Sequence, residues 1–356
     1  MRIENRRLPC LCGSWHLGGL LLVTGSIALV LIVFEITFRV KDALYPVELS
    51  PIVEPHPQRG WQARTRYHFS GMKRDASNRE YAVEIITDEN GFRVFGDLDA
   101  DACRVFCIGD SFTFAEDADQ SETYYAVAGK ILDLNMFAYG AQGYGTLQEY
   151  LVLEEWLDRI KPDIVVWQFC RNDFINNSVE LTRQSAKGQC HVDQPYLSED
   201  GVIEYLNPGH GPLCRLLKHI PSRLFYSLAY RMDNQNGIPA MEHTIENTVE
   251  RQGLEYPPFR RAVAATDRIF AMVRDRCGDI PVIAFNADSR EPYASAFTQI
   301  CTKHSLPEIR DISRAIEAAV RTGETVYAGD GLHWNGAGHT LCGKLLAEAL
   351  RPLCLK

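Results

Sequence analysis

The sequence predicts an α/β protein: a parallel sheet covered by helices on both faces, preceded by one helix able to cross a membrane. Three observations predict it. Short apolar runs at Arg104–Ile108, Asp133–Ala138, Asp163–Phe169 and Ile280–Phe285 alternate with longer helix-compatible stretches. Asp163-Ile164-Val165-Val166-Trp167 is nearly all apolar, as a central parallel strand buried on both faces should be. Leu17–Phe34 contains no charge at all.

Composition narrows the function. The chain has 356 residues, enough for one large core with a small appendage, and its 46% hydrophobic and 23% charged residues describe an ordinary globular protein. A formal net charge of -9 argues against a general nucleic-acid binder, which would carry a basic face. No nucleic-acid partner is expected.

Taken in order, residues 1–16 form a short basic leader with Arg2, Arg6 and Arg7. Leu17–Phe38 is long enough for a membrane-spanning helix of about 20 residues. A cleaved signal peptide would have a shorter apolar region followed by a small-residue cleavage site. Here Glu35-Ile36-Thr37-Phe38-Arg39 follows instead, so an uncleaved signal anchor over 17–38 is expected, with Glu35 and Arg39 pairing on one helical face. Arg39 and Lys41 after the span nearly balance the arginines before it, so charge barely sets the orientation. The order of parts, a short leader and then a large domain, favours the domain outside the cytoplasm.

Residues 39–102 read as a linker and a small β-rich lead-in packed on the main domain. A hairpin is expected around Asp88-Glu89-Asn90-Gly91, with Tyr81–Ile86 and Phe92–Phe95 as its strands, and Ser70-Gly71 reads as a turn. Helices are expected over Glu122–Ile131, Thr146–Ile160, Pro258–Arg276, Pro292–His304 and Gly336–Leu350. Between about 174 and 256 the alternation lapses into an insertion with turn-rich pieces and a helix near Arg223–Met232. Inserts of that length commonly shape a substrate site.

Of the 11 cysteines, nine follow the apolar stretch, so at least one is unpaired within the chain. Cys103 and Cys107 lie about 13 Å apart along a strand, too far to bridge. Cys190 with Cys214, and Cys342 with Cys354, are pairings the sequence allows. No CxxC motif is present. Cys190, His191, His210, Cys214 and His219 lack the close pairings zinc requires, so no metal site is expected.

Four separated places carry the chemistry: Gly109-Asp110-Ser111-Phe112; Tyr139-Gly140-Ala141-Gln142-Gly143-Tyr144-Gly145-Thr146; Arg171-Asn172-Asp173; and Asp330-Gly331-Leu332-His333. In a wound α/β fold all four sit near strand carboxyl ends and can converge on one crevice. Each also has a plain structural reading. Asp110 and Asp173 suit turn-stabilising roles, Thr146 and Asn335 suit helix starts, and His339 suits a packed helix position.

Their order and spacing resemble the SGNH/GDSL hydrolase superfamily over residues 104–350, with Cys170 standing where that family has glycine in its third block. Asn-Gly-Phe-Arg at 90–93 and the anchor with Glu35 and Arg39 are similar to membrane-anchored members. The resemblance implies a flavodoxin-like three-layer α/β/α sandwich over 103–356, with the insertion at 174–256. It implies Ser111 as nucleophile, His333 as base and Asp330 as its partner. It also implies an oxyanion hole from the amides of Ser111 and Gly143, with Gly140 the weaker choice, and the Asn172 side chain. No cofactor or metal is implied.

A serine hydroxyl needs a base to become a nucleophile, and the base needs a carboxylate to fix its tautomer. A membrane-anchored esterase acting on an acylated small molecule or an O-acetylated glycan through an acyl-Ser111 intermediate is therefore expected. An O-acyltransferase built on the same three residues, and a non-catalytic glycan-binding or scaffold protein, are the alternatives.

Overall fold

The computed structural model describes residues 12–44, 50–185, 192–217, 220–233 and 244–354. In chain order, helix α1 spans Cys12–Leu44 and precedes strands β1 (Val53–His56), β2 (Gly60–Ala63), β3 (His68–Arg74) and β4 (Glu80–Ile86). Then follow β5 (Arg104–Gly109), α2 (Ser111–Phe114), α3 (Tyr124–Leu132), β6 (Asn135–Gly140), α4 (Thr146–Ile160) and β7 (Ile164–Phe169). The insertion holds α5 (Arg171–Asn176), α6 (Val179–Gln184), β8 (Gln194–Leu197), β9 (Ile203–Leu206), α7 (Pro212–Leu217), α8 (Arg223–Asp233) and α9 (Ile245–Gln252). The chain ends with α10 (Pro257–Cys277), β10 (Val282–Asn286), α11 (Tyr293–Lys303), α12 (Asp311–Arg321) and α13 (Gly336–Cys354).

These elements form two compact units, one within 1–48 and 210–235, the other within 49–209 and 236–356. In the larger unit, β6-β5-β7-β10 make a four-stranded parallel sheet. Successive residues of each strand go to opposite faces, as a period of two requires. Phe106, Ile108, Val165, Trp167 and Phe169 enter one core with α4 and α10, while Val105, Cys107, Ile164 and Val166 enter another with α3, α12 and α13. This is the three-layer α/β/α arrangement. A bridge from Ala284 to Glu308 extends the sheet beyond β10. The strand order reverses at β5 and β7, the switch point where such sheets place their ligand crevice.

The lead-in differs from expectation. β4 pairs antiparallel with β3, from His68↔Ile86 to Arg74↔Glu80, and not with residues 92–95. The reason lies in Asp88, whose Oδ1 accepts from the amides of Asn90 and Phe92, each at 2.8 Å, and curls the chain into an Asx loop. Phe92 is thereby buried among Phe95, Tyr139 and Trp156, and Val94 bridges to Ala138 of β6. Ser70 and Gly71, which read as a turn, sit mid-strand opposite Glu84 and Val83. β1 pairs with β2, and Ile52, Val53, Trp61 and Ala63 join the core beneath α4.

The cysteine expectation also changes. Cys354 pairs with Cys103, their Cα atoms 5.7 Å apart, and Cys342 is a buried core thiol. Because α13 continues to Cys354, positions 342 and 354 lie about 18 Å apart on one helix and cannot bridge. The Cys190–Cys214 pairing lies outside the described residues, since Cys190 is not among them. α12 is a helix that the strand-and-helix reading omitted, although Ile312, Ile316 and Ala319 mark its buried stripe.

In the smaller unit, α1 carries a 23-residue stretch, Gly19–Lys41, long and apolar enough to cross a membrane. Glu35 and Arg39 pair at 2.7 Å.

Candidate active site

Ser111 begins where β5 stops. The Asp110 side chain accepts from the Phe112 amide at 2.9 Å and caps the single turn of α2. The Asp110 amide donates to Gln168 Oε1 at 3.0 Å, and Thr113 Oγ1 donates to the same oxygen at 2.9 Å. Gln168, the one amide in otherwise apolar β7, thus ties the serine turn to the neighbouring strand. At the far end of α2, the buried Arg93 guanidinium donates to the carbonyls of Phe114 and Ala115. Arg93 belongs to the Asn-Gly-Phe-Arg stretch, so that stretch holds α2 from below.

The second block turns under and beside this helix. A Cβ on Gly140 would lie 2.4 Å from the Phe114 amide nitrogen and 2.5 Å from the Asp110 carbonyl, so only glycine lets β6 approach. Gly140 packs beneath the turn, whereas Gly143, with φ of 71°, lies in the cavity wall beside Ser111 and Asn172. The lead-in holds this loop in place. Trp61 Nε1 donates to the Gln142 carbonyl at 2.7 Å, and the Tyr144 hydroxyl donates to the Trp61 carbonyl at 2.8 Å. The Gln142 side chain reaches Glu116, which also pairs with Lys73 of β3 at 2.9 Å.

In the third block, Cys170 precedes α5, and its amide donates to Asp173 Oδ2 at 3.1 Å. Asn172 Nδ2 donates to the Tyr144 carbonyl at 3.2 Å, leaving a second hydrogen on that nitrogen. Asn176 Nδ2 donates to the Gly143 carbonyl at 2.9 Å, linking the second and third blocks. Burial pushes the Cys170 thiol well above its ordinary value, with the Asp110 charge adding to it.

The fourth block sits in the loop before α13. Asp330 Oδ1 accepts from the amides of Leu332 at 2.9 Å and His333 at 3.0 Å, so the carboxylate is fixed by its own turn. Its Oδ2 lies 2.5 Å from His333 Nδ1, and His333 Nε2 lies 2.9 Å from Ser111 Oγ. Burial opposes the Asp330 charge, but the His333 ring and the two amides outweigh it and hold the carboxyl below its ordinary range. Burial likewise opposes a charge on His333, and the Asp330 hydrogen bond and charge override it, raising the imidazole above 6.5. The carboxylate fixes the tautomer that leaves Nε2 free to accept the serine proton.

Ser111, Gly143, Asn172 and His333 line one cavity of about 690 Å³. A smaller hollow of about 420 Å³ beside Leu157 and Arg276 holds none of these groups. Other polar residues singled out from sequence take structural positions. Asn335 Oδ1 caps α13 through the amides of Ala337 and Gly338, at 3.0 and 3.1 Å. His339 is buried against Tyr124, and that burial lowers its imidazole to about 3. Thr146 opens α4, with Gly145 at the cap.

Two supporting groups escaped the sequence reading, Gln168 and Trp61, and so did the burial of Glu149. Gln168 had a signal, a lone polar side chain inside an apolar strand. Glu149 had none, because a glutamate in the first turn of a helix ordinarily faces water.

The sequence matches no known family and no curated protein. Solved structures give distant likenesses. A lipolytic G-D-S-L family protein from Veillonella parvula is 12% identical, covering 69% of this chain and 96% of its own, with a TM-score of 0.38. A lipase/acylhydrolase from Enterococcus faecalis is 16% identical, covering 70% and 95%, with a TM-score of 0.40. A carbohydrate acetylesterase family member from Sinorhizobium meliloti is 12% identical, covering 71% and 99%, with a TM-score of 0.39. Likenesses this distant decide nothing about chemistry, which rests on the site's own geometry.

Proposed function

We propose that the chain is a serine esterase of SGNH type that removes an acyl group from a neutral, hydroxyl-rich substrate such as an O-acetylated glycan. The observation that carries this reading is the unbroken line from Asp330 through His333 to Ser111, with separations of 2.5 and 2.9 Å across 222 residues of sequence. As Ser111 Oγ attacks the ester carbonyl, His333 Nε2 takes its proton. The oxyanion is received by the amides of Ser111 and Gly143 and the remaining Asn172 hydrogen. The Ser111 amide lies in a first helical turn, where no intrahelical acceptor competes for it. His333 then returns the proton to the leaving alkoxide, and acyl-Ser111 forms. Water, deprotonated by the same imidazole, releases the acid and restores the serine.

The cavity supports the substrate class. Its charged lining is Glu246, Glu250, Asp288 and Glu317 against Arg171 and Arg290. Arg171 is paired with Asp288 at 3.1 Å, and Glu317 accepts from Ser289. The excess of carboxylates disfavours anionic substrates, and paired polar side chains suit hydroxyl groups better than acyl tails. The N-terminal helix acts as a membrane anchor. The Cys103–Cys354 disulfide supports an oxidising compartment, with the larger unit on the periplasmic or cell-surface side.

Fluorophosphonate labelling of the full chain, followed by incubation with an aryl acetate and a glycan acceptor, tests the reading. Labelled Ser111 with free acetate released is the expected result. Acetylated glycan in place of acetate would make the chain an O-acyltransferase. No label on folded protein would leave a non-catalytic glycan-binding or scaffold protein.

A further inference from the structure

Glu35 is the first charged residue after the uncharged run Leu17–Phe34 of α1, and the chemistry above makes no use of it. The structure shows what it holds. Its carboxylate accepts from the Ser222 hydroxyl at 2.8 Å, the Arg223 amide at 3.0 Å and the Leu224 amide at 2.9 Å. It is therefore the N-terminal cap of α8, supplied by a residue nearly two hundred positions away. Arg39, paired with Glu35, also donates to the Pro221 carbonyl at 2.7 Å. Along 19–41, Glu35 and Phe38 are partly buried and the other side chains are exposed. The α7–α8 hairpin is thus tied to one short level of α1.

That level is near the end of the apolar run. Leu17–Phe34 is 18 residues, about 27 Å of helix against a hydrocarbon thickness of about 30 Å. Glu35 follows directly as the first charged residue after that run. The hairpin fixed there exposes large apolar side chains. On α8, Phe225, Leu228 and Met232 are 45%, 49% and 57% exposed, and their i, i+3, i+7 spacing puts them on one stripe. Leu216 and Ile220 are exposed on the neighbouring stretch. Arg215, Arg223 and Arg231 are exposed beside them. Apolar residues on one stripe of a short helix, flanked by arginines, are the composition of a helix lying in a lipid interface.

We infer that α7 and α8 form a membrane-surface hairpin, clamped to the anchor by Glu35 and Arg39 and seated with Phe225, Leu228 and Met232 in the lipid interface. The occupant of the stripe is the bilayer. A tether by Glu35 at the bilayer boundary brings these side chains to lipid, and arginine complements anionic headgroups. The inference rests on α1 being a membrane span, and it is independent of the ester chemistry.

Site-specific benzophenone photo-crosslinking in the full chain, reconstituted into phosphatidylcholine/phosphatidylglycerol vesicles, tests it. The photoreactive residue is placed in turn at Phe225, Leu228, Met232, at Ile27 within the span, and at Val202, an exposed apolar position of the larger unit. Lipid adducts at 27, 225, 228 and 232, with at least tenfold less at 202, are expected. Adducts at 27 alone would overturn the hairpin and leave the anchor standing. Adducts at none would overturn both. Protein–protein adducts in place of lipid at 225, 228 and 232 would assign the stripe to another part of the chain or a second copy, and overturn the inference. Glu35→Ala should lower the adduct yield at 228 several-fold and leave that at 27 unchanged. An undiminished yield at 228 would refute the clamp.

Discussion

Two sets of carboxyl groups approach Ser111, and their surroundings shift them in opposite directions. On the rim, Asp330 accepts from two backbone amides and the His333 ring, and is held charged. Beneath the serine turn, Asp110, Glu149 and Asp173 are fully buried, and burial drives all three carboxyls above their ordinary values. The charge of Asp110 adds to the effect for Glu149, and those of Glu149 and Asp110 add to it for Asp173. The residue types are the same; donors and water make the difference. The Asp330 carboxylate sits where three donors meet it, whereas burial opposes the charge of the carboxyls on the floor. Proximity to Ser111 is therefore no guide to the direction in which a carboxyl is shifted.

The most severe test of this division removes the groups on the rim. Ser111→Ala and His333→Ala should each reduce ester hydrolysis to background, a fall of about 10³-fold or more, with the folded state unchanged by circular dichroism. Purified Ser111→Ala with undiminished turnover would end the esterase reading. Asp330→Asn should cost about 10²- to 10⁴-fold in kcat, because the imidazole loses its fixed tautomer and its counter-charge. The pH profile sharpens the point. His333 must be neutral to accept a proton, and Asp330 holds its imidazole above 6.5, so the acidic limb of kcat/KM should lie above pH 6.5. In Asp330→Asn that limb should move to lower pH while the plateau falls. A limb that stayed in place would show that Asp330 does not govern the base.

The floor should respond differently. Gln168 ties the serine turn to β7 through one accepting oxygen with two donors, so Gln168→Leu leaves the Asp110 amide unpaired and the Thr113 hydroxyl with Tyr124 alone. Two lost neutral hydrogen bonds at about 1 kcal/mol each correspond to about tenfold to thirtyfold if the turn loosens at the reacting hydroxyl. The loss should appear in kcat more than in KM. An equal loss of thermal stability with full kcat would make Gln168 purely structural.

The same contrast explains what the sequence disclosed. The rim was legible because each rim residue stands in a short contiguous block, and strand ends bring such blocks together. The sheet was legible because β5 and β7 are buried on both faces and so nearly all apolar. The lead-in was not, because Asp88 makes an Asx loop where a hairpin turn has similar residues. Phe92 then goes to the core instead of pairing with β4. Trp61 and Arg93 could not be tied to the site, since their partners, Gln142 and the end of α2, are long-range contacts that no local pattern announces. The Cys103–Cys354 bridge escaped for the same reason, spanning 251 positions.

The finest test concerns Glu149. Its native carboxyl holds a proton well above 4.5, whereas in the unfolded chain it releases that proton near 4.5. Between those two values the native state binds more protons than the unfolded one, so stability declines as pH rises. The decline from one such group has a limiting slope of about 1.4 kcal/mol per pH unit. Glutamine keeps the shape and carries no ionisable proton, so Glu149→Gln should flatten the decline above pH 4.5. Denaturant unfolding at several values from pH 5 to 8 should show the variant gaining on the wild-type chain as pH increases. Its kcat should stay within about twofold, because the carboxylate that meets the His333 ring is that of Asp330. Parallel stability curves would mean that the floor is not protonated. A loss of kcat comparable to that of Asp330→Asn would mean that the charge stabilising His333 comes from below the serine turn and not from the rim.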